Sequence, residues 1–311
     1  MQSSHRRTLL LGLALAATGS VLFSAKAIVV KLAYRYQVDP LTLIALRMVF
    51  AFPFFVVSYW WSSRGAAPLS RADHGRLILM GVLGYYVSSY LDFLGLQYIS
   101  AALERLILFL NPTIVLLLSA FFLSKRVRRT DWAALSLAYA GIVFVFWHDV
   151  RFEVGRIGLG SALVFGSALC YAIYLVIGGE LVKRLGAIRL VSYAMCVSTL
   201  GVLTQFAVMN PISALRQPGP VYWLSLLNGT LCTVVPVFAT MLGVERIGAG
   251  RASMAAMVGP VATIGLAFVF LGEPVSVWQL AGTALVLAGV YVLTLPPRAT
   301  APASSTSKEA S

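Results

Sequence analysis

Apolar residues run along this chain in stretches of about twenty, each closed by a short cluster of Gly, Pro, Lys or Arg. A stretch of that length spans roughly 30 Å as a helix, the thickness of a bilayer core, so each is predicted to be a membrane span. The pattern predicts spans near residues 9–30, 41–61, 77–97, 101–123, 131–147, 157–182, 188–209, 221–243, 248–271 and 276–295. The expected fold is therefore all-α, a membrane protein of ten transmembrane helices.

The third and fourth spans are parted only by Ile99-Ser100-Ala101, and the eighth and ninth only by Ile247-Gly248-Ala249. Each pair would otherwise be one helix of twice the needed length. Arg6-Arg7 and the apolar run after them resemble a secretory signal, with Ala14-Leu15-Ala16 as a cleavage site. The run continues to Val30, so it is read as a retained first span.

The pattern also repeats. Residues from Gly95 to Trp147 return at an offset of 148 residues from Gly243 to Leu295, without a gap. Gly95 falls on Gly243, Ile99 on Ile247, Pro112 on Pro260 and Ala140-Gly141 on Ala288-Gly289. Leu and Ala match by chance in apolar segments, so the Gly and mid-span Pro matches are the informative ones. Residues 8–147 and 157–295 are thus expected to be two five-helix repeats, followed by a disordered cytoplasmic tail, 296–311, rich in Pro, Ser and Ala. An odd number of spans per repeat makes the second half enter the membrane from the opposite side. Inverted repeats of this kind characterise secondary transporters.

Composition agrees with the pattern. Hydrophobic residues make up 59% of the chain and charged residues 11%, against about 25% charged in soluble domains. The net charge of +13 raises the question of nucleic acid, but the Lys and Arg residues fall in short clusters between spans, with no basic face. With the N-terminus in the cytoplasm, sixteen of them lie in cytoplasmic segments and five outside, which is the positive-inside bias. A multi-pass protein of the cytoplasmic membrane with both termini inside is expected, its partners the lipid bilayer and a small-molecule substrate. Cys170, Cys196 and Cys232 form no metal or disulfide pattern, and His5, His74 and His148 are scattered. Without a phosphate-binding loop or a hydrolase motif, no cofactor, no metal and no enzymatic activity is expected.

Five charges lie inside spans, where each costs about 2.5–3.5 kcal/mol on insertion scales and needs a partner or a wet cavity. They are Lys26, Arg47, Asp92, Glu104 and Arg105, at similar depth and with one surplus cation. Two readings stand side by side. Either Arg47 pairs with Asp92 or Glu104 to hold helices in register, or an unpaired cation receives an acidic group of a substrate. Tyr86 and Tyr90 share one stripe of the third span, next to a second stripe of Tyr85, Ser89 and Asp92. Tyr171, Tyr174 and Asn228 add polar groups from the second half. Pro112 and Pro260 should kink the fourth and ninth spans, each freeing a carbonyl, and Asn111 either caps the freed backbone or faces the pathway.

Gly19-Ser20, Lys31, the segment from Pro40-Leu41 to Arg47, the run Gly95-Leu96-Gln97-Tyr98-Ile99-Ser100-Ala101-Ala102, Pro112 and Leu271-Gly272-Glu273 resemble the EamA-type drug/metabolite transporters over residues 8–295. Thr18 stands where that family usually has Trp, and Ser124-Lys125-Arg126 replaces the Leu-Gly-Glu ending kept in the second half. The resemblance implies a central cavity between the halves and export of small metabolites such as amino acids. A phosphometabolite or nucleotide-sugar exchanger and a non-transporting membrane scaffold are the alternatives.

Overall fold

The computed structural model describes residues 2–123, 132–133, 136–144, 156–247, 255–256 and 258–294. Helices account for most of these residues, and no strand occurs among them. The Ile247-Gly248-Ala249 turn, the Ser124-Lys125-Arg126 ending, the tail and most loop cations between 125 and 151 lie wholly or partly outside the described residues.

The first half comprises α1 (Gln2–Tyr34), α2 (Pro40–Ser63), α3 (Arg71–Gly81), α4 (Ser88–Gly95), α5 (Ala101–Leu108) and α6 (Asn111–Leu123), and residues 136–144 are helical. The second comprises α7 (Ile157–Leu185), α8 (Ala187–Met209), α9 (Gly219–Gly229), α10 (Val235–Ile247), α11 (Val258–Leu266) and α12 (Val277–Thr294). Two joints are π-helical: Val82–Val87 links α3 to α4, and Thr230–Val234 links α9 to α10. A third π-helical stretch, Ala267–Leu271, ends α11.

Among the described residues seven helical stretches are long and apolar enough to cross a membrane, and Val258–Leu271 and Val277–Val292 are shorter apolar helices. Val57, Trp61, Phe121 and Val208 are exposed on the outside of the bundle, where an aqueous protein would carry charge. This is a multi-pass membrane protein.

Local chemistry fixes the helix starts. Asp39 accepts the Thr42 amide ahead of Pro40 at the start of α2. Ser70 and Asp73 form a reciprocal capping box on α3, and the Ser100 hydroxyl accepts the Leu103 amide on α5. At Gly186, φ is +77°, a conformation open to glycine that turns α7 into α8 with no further residue.

The helices then pack antiparallel through small residues. Gly12 of α1 faces Gly243 of α10, and Gly95 of α4 faces Gly160 of α7. A methyl built on Gly243 would lie 3.1 Å from the Gly12 carbonyl oxygen, and one on Gly95 would lie 2.9 Å from that of Gly160. Further along the same interfaces Gly19 meets Pro236 and Thr240, while Ser88 meets Ser167. Gly81 sits against Ala194 of α8, and Gly229 against Arg47 of α2. Close approach of this kind holds helices together where lipid removes the hydrophobic drive between them. The largest buried apolar cluster includes Ile44, Met48 and Phe55 of α2, Met80 and Phe93.

Candidate functional site

The joints α3–α4 and α9–α10 open onto one cavity of about 260 Å³. Tyr85 comes from the first π-helical joint, and Cys232 and Thr233 from the second. A π turn breaks the regular i→i−4 ladder, and such turns are frequent at functional sites. The Thr233 hydroxyl makes good part of that loss by donating to the Asn228 carbonyl at 2.8 Å.

The wall is amphipathic. Phe23, Leu108, Phe109 and Val237 give it apolar surface, and Ser88, Ser89 and Ser167 give it hydroxyls. Tyr85, Tyr171 and Tyr174 pack ring to ring, with centroids 5.0 to 6.1 Å apart, and the Tyr85 hydroxyl donates to that of Tyr174 at 3.3 Å.

Six candidates from the sequence line the cavity: Lys26, Arg47, Asp92, Arg105, Asn111 and Tyr171. Glu104 lies just behind it, and Tyr174 backs Tyr85. Tyr86 instead packs toward Gly201 of α8, Tyr90 packs on the apolar core, and Asn228 is fully buried in α9, away from the wall. The stripe of α4 that faces the cavity is the one carrying Ser89 and Asp92. Ser88, Ser167, Cys232 and Phe23 were not singled out as site residues, because nothing in an apolar span marks which small side chain faces a void.

Arg47 pairs with neither Asp92 nor Glu104, because Lys26 takes both acids. Lys26 reaches both carboxylates, with Nζ 2.5 Å from Asp92 Oδ2 and 3.5 Å from Glu104 Oε1. Arg47, 4% exposed, makes a long hydrogen bond to Ser89 Oγ at 3.4 Å and lies over the Phe93 ring at 5.3 Å. Arg105 donates to the Ser20 carbonyl at 3.4 Å. Among the described residues neither guanidinium has a carboxylate partner, and the Nε of each is buried without a hydrogen bond. Helix depth set the level of these charges, but the facing of α1 toward α4 and α5 gave both acids to Lys26.

Both prolines act as the backbone chemistry requires. The fourth span breaks at Phe109–Leu110, and the Leu108 carbonyl, left without the amide that Pro112 lacks, accepts Asn111 Nδ2 at 2.8 Å. Asn111 Oδ1 remains unengaged. The carbonyl freed by Pro260 is that of Ala256, and the Ser20 hydroxyl of α1 takes it at 2.7 Å. Ser24 of α1 donates to the neighbouring Gly259 carbonyl at 2.9 Å.

A wider vestibule of about 650 Å³ lies at the end of α1, lined by Lys31, Arg35, Asp39, Gln97 and Glu273 among others. There Lys31 Nζ meets Glu273 Oε1 at 3.1 Å, and the same oxygen faces the Ala101 amide at 3.4 Å, at the start of α5. At the opposite end of the bundle, Arg184 of α7 forms a forked pair with Asp73 of α3. Among the described residues no three His, Cys, Asp or Glu side chains converge as metal ligands.

A family model described as the EamA-like transporter family matches residues 10–147 and again 158–295. The chain belongs to that family. A Bacillus subtilis (strain 168) relative described as "Uncharacterized transporter YcbK" is 29% identical over 273 residues, 85% of this chain and 86% of its own length. An Archaeoglobus fulgidus relative, "Uncharacterized transporter", is 28% identical over 272 residues, 84% of this chain and 92% of its own. A solved crystal structure at 18% identity shares the fold, with a TM-score of 0.65 over 93% of this chain and 98% of that one. As an EamA-like transporter, the protein is a membrane transporter, and its cavity is the natural place to look for substrate contacts.

Proposed function

We propose that this EamA-like transporter exports small zwitterionic metabolites of the amino-acid class across the cytoplasmic membrane by alternating access. Its ten spans form two inverted five-helix halves with both termini in the cytoplasm.

The observation that carries the substrate class is the pairing pattern in the cavity wall. Arg47 and Arg105 present guanidinium groups without carboxylate partners, while Asp92 Oδ1 is an unengaged acceptor in the same wall. A carboxylate meets the first and an ammonium meets the second, each as a charge-assisted hydrogen bond. A volume near 260 Å³ sits below the roughly 300–1,000 Å³ of drug-sized sites, which suits a metabolite of amino-acid size.

The inverted architecture is supported by contacts that recur in exchanged form. Gly12 with Gly243 becomes Gly160 with Gly95 under the 148-residue offset, and the π-helical joints begin at residues 82 and 230, the same distance apart. The double family match has the same spacing.

Counterflow in proteoliposomes tests the reading. Vesicles preloaded with an unlabelled L-amino-acid mixture should accumulate labelled amino acids, and cells carrying the protein should release more of them than cells without it. The two unpartnered guanidinium groups favour one rival, an organophosphate exchanger. Exchange of sugar phosphates or sugar nucleotides with no amino-acid counterflow would establish that rival and dismiss the amino-acid reading.

A further inference from the structure

Glu104 is the one acid of the charged cluster that the proposed substrate contacts leave unused. It is 1% exposed, lies outside the cavity wall, and has no hydrogen bond on either carboxylate oxygen. Its nearest cation, Lys26, is committed to Asp92 at 2.5 Å and stands 3.5 Å from Glu104. Two carboxylates beside one ammonium leave a net negative charge out of water, and one of two acids in such a site holds a proton.

We infer that Glu104 is the coupling-ion site of the transporter, that the ion is a proton, and that Lys26 relays its binding to the substrate site.

The Lys26 ammonium, 2.5 Å from Asp92 and 3.5 Å from Glu104, stands where a metal cation shared by the two acids would sit. A proton needs no such space. Taken from water in the cavity, which Lys26 lines, it converts the Glu104 carboxylate to the neutral acid and brings the cluster of Lys26, Asp92 and Glu104 from one net negative charge to none. Lys26 then rests on Asp92, the arrangement seen in this structure. When the proton leaves to water, ionised Glu104 draws Lys26 toward itself and frees Asp92 for the ammonium of a substrate. Proton and substrate therefore bind in alternation, and export runs against proton entry.

Two further cations stand near this trio without an ion pair to Glu104. Lys26 comes from α1, Asp92 from α4 and Arg105 from its own helix, the last directed to the Ser20 carbonyl. Arg47 of α2 and Tyr171 of α7 lie across the cavity. The described residues of α11 and α12, which also pack on α5, include no acidic or basic side chain.

The role of Lys26 in releasing Asp92 rests on the amino-acid reading above, whereas the proton site does not, so the test has two arms. In infrared difference spectra of purified protein, wild type should show the C=O stretch of a protonated carboxylic acid that disappears on alkalinisation. Glu104→Gln should lose that band, Glu104→Asp should keep it at a shifted frequency, and Glu273→Gln should leave it in place. A wild-type protein without a titrating band, or a band that survives in Glu104→Gln, overturns the proposal. In the second arm, vesicles containing pyranine and a labelled L-amino-acid mixture should show proton movement opposite to amino-acid efflux, lost per substrate moved in Glu104→Gln. Undiminished coupling in that variant also overturns the proposal. A titrating band that depends on Glu104, together with no amino-acid counterflow, upholds the proton site and dismisses the substrate class instead.

Discussion

Arg47 and Lys26 show how two buried cations at one depth acquire different tasks. Lys26 is held at 2.5 Å by Asp92, so replacing it with Met strands that carboxylate as a buried charge without its ammonium partner, and Glu104 with it whenever Glu104 is ionised. Breaking a buried pair from one side typically costs about 3–5 kcal/mol, and Lys26→Met is expected to lower thermal stability clearly. Arg47 has no acid to strand. Arg47→Gln should therefore fold with near wild-type melting and lose roughly tenfold to a hundredfold in substrate affinity, the equivalent of about 1.5–3 kcal/mol for a hydrogen bond to a charged group. Arg47→Lys should not restore it, because an ammonium lacks the planar fork. Melting curves and counterflow half-saturation, measured on the same preparations, decide both points, and a strongly destabilised Arg47→Gln would return that arginine to a structural role. The presence of five intramembrane charges was legible in the sequence, since each is expensive in lipid. Their pairing was not, because hydropathy gives the level of a residue along its helix and not the direction it faces.

Helix interruptions divide in the same way. Pro112 and Pro260 announce themselves, and the Asn111 amide that caps the Leu108 carbonyl is adjacent in sequence. Ser20, which satisfies the Ala256 carbonyl, is 236 residues away, so only the packing of α1 on α11 reveals it. That contact makes a closed cycle. Ser20→Ala leaves a part-buried carbonyl without its protein donor, at about 0.5–1.5 kcal/mol. Pro260→Ala returns a backbone amide to the same carbonyl, so the double variant should recover most of the loss that Ser20→Ala causes alone. Additive losses in denaturation measurements would show that the hydroxyl and the proline do not share that carbonyl. The π-helical joints left no mark in the sequence, because Val82–Val87 and Thr230–Val234 continue the apolar runs around them without Pro or charge. Yet they place Tyr85, Cys232 and Thr233 in the cavity.

For the molecule as a whole, the repeat was readable because close helix contacts and kinks use residues that few others replace, Gly and Pro, and these kept their spacing. What the halves do together depends on their two ends. Lys31 of α1 and Glu273 beyond α11 join the halves beside the vestibule, five residues from Lys26 on one helix and, through the Ala101 amide, one turn from Arg105 on another. Asp73 and Arg184 join them at the far end. Alternating access requires the halves to part at one end while they stay closed at the other. In a background lacking the three native cysteines, Lys31→Cys with Glu273→Cys joined by a short thiol-specific linker should stop net transport, and cleaving the linker should restore it. A long flexible linker at the same two positions should permit turnover, which separates restraint of the gate from damage by the substitutions. Unimpaired transport under the short linker would mean that this end of the bundle never opens, and alternating access through the vestibule would be abandoned.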